Sequence, residues 1–144
     1  MSVTTAGAIN ILFEYLKNSE VLSDEKKVNG HLYKMQRPLN SSKEDVVINA
    51  ITMGRESVQN GILNVNAYCK NQTLTLPGAL SDNSQPDYTR LDEISNLLNK
   101  ALGEGREIYL NNGSYCFKVQ QDVIIPDENE QHYVNFRIEF YSPQ

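Results

Sequence analysis

The sequence predicts an α+β fold, with a mixed, largely antiparallel sheet of about five strands and two helices packed on one face. Three observations carry this expectation. Residues 5–18 and 87–102 repeat apolar side chains at three- and four-residue spacing, the mark of a helix with one covered stripe. Residues 62–69, 114–125 and 133–141 alternate apolar and polar side chains, as strands with one buried face do. The connections between strands are short, which favours antiparallel or mixed pairing and leaves both helices to cover the same side.

Each element has its own local justification. In the first helix Ile9, Leu12, Phe13 and Leu16 form the stripe, and Thr4 or Thr5 can cap its start. Residues 18–29 are polar apart from Val21, Leu22 and Val28, so they read as a surface connection ending near Gly30. Residues 31–37 alternate loosely and stop at Pro38, which predicts a half-exposed strand. A β-branched run, Val46-Val47-Ile48, followed by Ile51 predicts a second strand over 44–53, and Asn60-Gly61 reads as the turn into a third. That third strand places Leu63, Val65, Ala67 and Cys69 on one face and Asn64, Asn66 and Tyr68 on the other.

Residues 71–86 are polar and interrupted by Pro77-Gly78 and Pro86, yet contain Leu74, Leu76 and Leu80, which a solvated loop has no need of. They read as a binding arm. The second helix has Leu91, Ile94, Leu98 and Ala101 on its stripe, Asp87 as its cap and Gly103 as its stop. A brief strand over 107–110 and an Asn112-Gly113 turn lead into the last two strands, which form a hairpin closed by residues 126–131. In it Tyr115, Phe117, Val119, Val123 and Ile125 read as one face, and Val134, Phe136, Ile138 and Phe140 as the core face of the final strand.

At 144 residues the chain is predicted to be a single domain, 1–144, that buries about 70% of its unfolded surface without help from metals or disulfides. It has 40% hydrophobic and 22% charged residues and no apolar run near the roughly 20 residues that cross a bilayer, so no membrane partner is expected. The stretch 1–8 lacks the charged start and apolar run of an export signal. A net charge of −5 opposes general attraction to nucleic-acid backbones, and no specific nucleic-acid binding is expected. Lys34, Arg37 and Lys43, with Glu44 and Asp45 adjacent, read as an ordinary solvated surface.

No constellation for chemistry stands out, and the chain is not expected to be an enzyme. Cys69 and Cys116 are far apart, have no histidine at metal-ligand spacing and fall at core positions, which predicts two buried, reduced thiols. His31 and His132, the two histidines, each open a strand among polar neighbours. Asp127, Glu128 and Glu130 lack the glycine and terminal glutamate of a calcium loop. Gly103-Glu104-Gly105-Arg106 lacks the lysine and following helix of a phosphate loop. Neither a cofactor nor a metal is expected.

The exposed faces are more informative. Tyr33, Tyr68 and Tyr88, with Asn64, Asn66 and Arg37, supply groups that interfaces favour over the Lys and Glu of a merely soluble surface. From the opening helix through His31-Leu32-Tyr33-Lys34, Arg37-Pro38, Val46-Val47-Ile48-Asn49 and Leu63-Asn64-Val65-Asn66-Ala67-Tyr68 to the second helix and closing hairpin, the whole chain resembles the tail-terminator or tail-completion proteins of long-tailed bacteriophages. The likeness lies in the order of elements, since that family has no diagnostic catalytic or ligand motif. It departs in its longer polar segment at 18–29 and in the arm. What the resemblance implies is a structural protein of a phage or prophage whose copies form a ring, commonly of six. Such a ring ends growth of the tail tube and joins it to head-connector proteins, in the virion tail or, during assembly, in the cytoplasm of the bacterial host.

Asn64, Asn66 and Tyr68 on the exposed face and Leu74 and Leu76 in the arm are then the candidate contacts to other copies or to the tube. Two other readings of the same residues stand beside this one. The first is a small monomeric module whose sheet face and arm close on a ligand or peptide, and the second a hydrolase using His31 or His132.

Overall fold

The computed structural model describes residues 3–56, 58–78 and 80–143; Met1 and Ser2 of the N-terminal stretch, and Ala79 of the arm, lie outside them. Helix α1 spans Thr5–Leu16 and is capped by Thr4, whose hydroxyl accepts from the Gly7 N–H at 3.0 Å. Its covered stripe is Ala8, Ile9, Leu12 and Leu16. Helix α2 spans Tyr88–Ala101, capped by Asp87, and buries Leu91, Ile94 and Leu98. Both stripes enter one apolar cluster, with Val46, Ile48, Leu63, Val65, Ala67, Phe117, Val119, Val134, Phe136, Ile138 and Phe140 supplied by alternate positions of the strands. The two helices therefore lie on the same side, and the opposite face of the sheet is open.

Among the described residues the main sheet has six strands in the order β1-β2-β3-β8-β7-β6, and β4 with β5 forms a separate pair. The strands are β1 (Leu32–Lys34), β2 (Val46–Met53), β3 (Val58–Lys70), β4 (Leu74–Leu76), β5 (Leu80–Asp82), β6 (Ile108–Leu110), β7 (Tyr115–Asp127) and β8 (Gln131–Pro143). β1 pairs in parallel with β2 and every other pair is antiparallel, so the sheet is mixed as expected. β7 and β8 make the closing hairpin, and β3 pairs with β8 along its whole length.

Three local expectations change. Asn60-Gly61 is not a turn: β3 already runs through it, with Gly61 opposite both Met53 and Phe140. A side chain there would bring its Cβ to 2.9 Å from the Thr52 carbonyl oxygen, so the glycine serves close strand approach rather than reversal. The polar segment 18–29 contains a short 3-10 turn over Glu20–Leu22, and it buries Val21 and Val28. The third change matters most for the surface. In β7 the alternation is interrupted by a bulge at Gln120, between the pairs Val119–Ile138 and Gln121–Arg137. Beyond it the phase reverses, so Val123 lies opposite Asn135 on the open face and is 44% exposed, while Ile124 on the helix side is 40% exposed. Neither is core.

No helix among the described residues is long and apolar enough to cross a membrane.

Candidate functional site

The open face is organised by asparagine. Asn49 and Asn64 stand directly opposite on β2 and β3, as do Asn66 and Asn135 on β3 and β8. The Asn64 amide donates to Asn49 Oδ1 at 3.0 Å, and the Asn135 amide donates to Asn64 Oδ1 at 3.2 Å and to Asn66 Oδ1 at 2.6 Å. Four side-chain amides thus form one ladder across three strands. The two predicted contacts Asn64 and Asn66 sit inside it, Asn66 buried and Asn64 half-buried. Their hydrogen bonds to each other's neighbours fix the face in one geometry, because each amide dipole orients the next.

Beside the ladder, Tyr68 packs on Tyr133 directly opposite on β8, ring centroids 5.0 Å apart. The Arg37 guanidinium lies 3.7 Å from the Tyr68 ring centroid, in stacking distance. Burial pushes the Tyr68 hydroxyl above its ordinary pKa, against the lowering pull of Arg37. From the sequence Arg37 reads as part of a solvated patch and as a group that interfaces favour. Its side chain is instead 13% exposed and is the hub of a polar cluster. It donates to Gln131 Oε1 and to the Lys43 carbonyl at 3.3 Å, and lies 3.6 Å from Asp45 and 3.7 Å from Asp127. Asp45, 1% exposed, also accepts from the His31 N–H at 3.1 Å and from the Ser41 hydroxyl. A buried carboxylate needs such partners, and the chain leading from β1 through Pro38 to β2 supplies them.

The arm is the β4–β5 hairpin. Leu74 pairs with Asp82 and Leu76 with Leu80, which puts all four on one face of a two-stranded ribbon. Leu74 is half-buried, whereas Leu76 is exposed and Leu80 is 63% exposed. The base is fixed: the Asn71 N–H donates to the Glu130 carbonyl, the Asn71 amide to the Asn83 carbonyl at 2.8 Å, and Asn71 Oδ1 lies 2.6 Å from His132 Nδ1. Between this base and the β7–β8 turn is an open cleft of about 490 Å³ lined by Asn71, Asp82, Ser84, Asp127, Glu130 and His132. The structure therefore brings Asn64, Asn66 and Tyr68 together on one face but places Leu74 and Leu76 on a separate ribbon.

A scan against protein-family models gives no match to this chain, and a search of curated proteins gives none either.

Cys69 and Cys116 are free and buried. Burial first, then the nearby Glu44 and Asp87 carboxylates, pushes the Cys69 thiol up to about 12, which leaves it protonated and unreactive at neutral pH. His31 packs edge-on against Tyr33 at 6.2 Å, away from both thiols in the sequence and on an exposed strand start. Sequence reasoning missed Asn49 and Asn135, although each falls at an outward position of its strand. It singled out Arg37 as an interface group, not as the internal hub that the structure shows.

Proposed function

We propose that this chain is a structural protein of a long-tailed phage or prophage. In this reading its copies assemble into a ring at the tail end or head-to-tail joint, ending tube growth and joining tail to head. The observation that carries the reading is the arm. A two-stranded hairpin is marginal alone in water, and this one stands off the main sheet with Leu76 and Leu80 outward. Covering what is still exposed of those two leucines, 41% and 63%, against another copy contributes about 1 kcal/mol each. An amide and tyrosine face whose asparagines are bonded to one another is likewise suited to shape complementarity rather than to chemistry. The resemblance in element order points the same way.

The test is assembly. Purified chain is mixed with tail-tube protein of a long-tailed phage, the products are sized by light scattering and imaged, and Leu74→Ser/Leu76→Ser is run in parallel. The reading expects ring-shaped particles or capped tubes of fixed length, lost in the double variant. Tubes that grow unchecked in the presence of wild-type chain would sink it.

The cleft at the arm base favours a second reading, a monomeric module that takes a small polar ligand or peptide between arm and hairpin. There Asp82, Asp127 and Glu130 would select a cationic group. A chain that stays monomeric with tube protein while a basic peptide protects the Asn71–His132 region from hydrogen exchange would favour this reading.

A further inference from the structure

β7 is an edge strand for most of its length. β6 pairs with it only at Tyr115, Cys116 and Phe117, and among the described residues no strand pairs with its outer side from Lys118 to Asp127. That leaves a row of outward backbone donors and acceptors next to two exposed apolar side chains, Val123 and Ile124, one on each face. An edge templates strand pairing unless it is covered or blunted, and here the bulge at Gln120 and Pro126, which lacks an N–H, confine the regular stretch to residues 121–125. We infer that a second copy of the chain covers this edge, the two β7 strands pairing antiparallel about a two-fold axis at Val123.

Charge selects both the occupant and the register. With Val123 opposite its own copy, Asp122 faces Ile124 and Gln121 faces Ile125. The bulged Gln120 counts with Val119 as a single position, so Lys118 of each copy then falls opposite Asp127 of the other. Lys118, Gln121, Val123, Ile125 and Asp127 all lie on the open face, as their β8 partners Glu139, Arg137, Asn135, Tyr133 and Gln131 show. On the open face the seam therefore has a Val123 pair at its axis and an opposite-charge pair at each end, the cross-strand arrangement that stabilises sheets. A shift that centres the axis on Asp122 sets two carboxylates face to face. A shift to Ile124 sets Lys118 against Asn129 and forfeits both pairs. Within its own chain Lys118 stands opposite Glu139, and Asp127 lies 3.7 Å from Arg37, so both charges are already turned toward this face.

The contact is isologous and stops at two copies. It stands apart from the ring reading, since it uses neither Leu74 nor Leu76.

Lys118→Glu and Asp127→Lys test it. Each variant alone places like charges at both ends of the seam, whereas a dimer of one with the other restores two opposite-charge pairs. Sedimentation of the full chain in low salt should show a reversible wild-type dimer, weakened at least about tenfold in either variant. A one-to-one mixture of the variants should recover the dimer. Val123→Cys should form a self-disulfide on oxidation, and Leu74→Ser/Leu76→Ser should leave the dimer intact. A wild-type chain that remains monomeric at millimolar concentration overturns the proposal, as does a dimer indifferent to the charge exchange. Circular dichroism of each variant separates loss of the seam from loss of fold. If Asp127→Lys unfolds, Lys118→Glu and the Val123→Cys cross-link decide.

Discussion

Replacing Arg37 distinguishes a hub from a surface charge. Arg37→Ala removes a guanidinium stacked on Tyr68, a charged donor to Gln131 and the cation nearest the buried Asp45. The stacking contributes about 1 kcal/mol at a half-buried ring. The charged hydrogen bond to Gln131 adds about 1.5–3 kcal/mol. Breaking a buried ion pair costs about 3–5 kcal/mol in all, because the remaining charge stays behind uncompensated. Asp45 keeps the His31 N–H and the Ser41 hydroxyl, and Arg37 has a water-facing edge, so the lower end, about 3 kcal/mol, is the expected loss. Arg37→Lys keeps the charge but not the planar fork, and should cost about 1–2 kcal/mol. Urea unfolding at pH 7 measures both, and the melting temperature of Arg37→Ala should fall by about 6–12 °C. An Arg37→Ala loss under about 1 kcal/mol, erased by added salt, would show an ordinary solvated pair and refute the reasoning.

Arg90 clamps α2 to the segment before β1. It forms a two-pronged bond with Glu44 at 2.7 and 2.8 Å and donates to the Lys26 and Lys27 carbonyls at 3.0 and 2.8 Å. Arg90→Met should cost about 3 kcal/mol, and adding Glu44→Gln should recover at least about 1 kcal/mol of it in a denaturant titration, because the stranded carboxylate is then gone. For Cys69 the raised pKa means that the folded chain holds its thiol proton more tightly than the unfolded one. The corresponding stability is fully present below the unfolded value of about 9 and is lost as pH rises from there toward about 12. In a Cys116→Ser background, thiol labelling at pH 8 should therefore be far slower than that of free cysteine until urea is added, and Cys69→Ala should flatten the alkaline loss. Gly30→Ala would bring a methyl group to 2.6 Å from the Glu44 carbonyl oxygen and against the Asp45 carboxylate, for an expected loss of about 1–3 kcal/mol by thermal melting. An unchanged melting temperature would mean that this loop yields freely.

The elements that were legible in the sequence share one property: their pattern is set by a single covered face. α1, α2, β3 and β8 bury every third or fourth or every second side chain against the same cluster, so periodicity alone finds them. Where local pattern meets a constraint from a distant residue, it misleads. Asn60-Gly61 has the composition of a turn, but Met53 and Phe140 flank Gly61 as strand neighbours, and only the pairing reveals why the residue is small. In β7 the apolar alternation continues in the sequence past Gln120, and one bulge sends Val123 to the open face and Ile124 to an uncovered part of the other. A single inserted position reverses every side chain beyond it, which no count of apolar residues can detect.

The candidate contacts differ in the same way. Asn64, Asn66 and Tyr68 were legible as outward positions of a strand, but outward did not mean free: the amides answer one another across β2, β3 and β8, and Tyr68 lies between Tyr133 and Arg37. Substituting them would disturb this face itself before it disturbed any partner. Leu76 and Leu80 have the opposite character, since their ribbon is held at its base by Asn71 and the leucines near its turn stay exposed. A change there leaves the main core untouched, so the arm is where loss of assembly can be read without loss of fold.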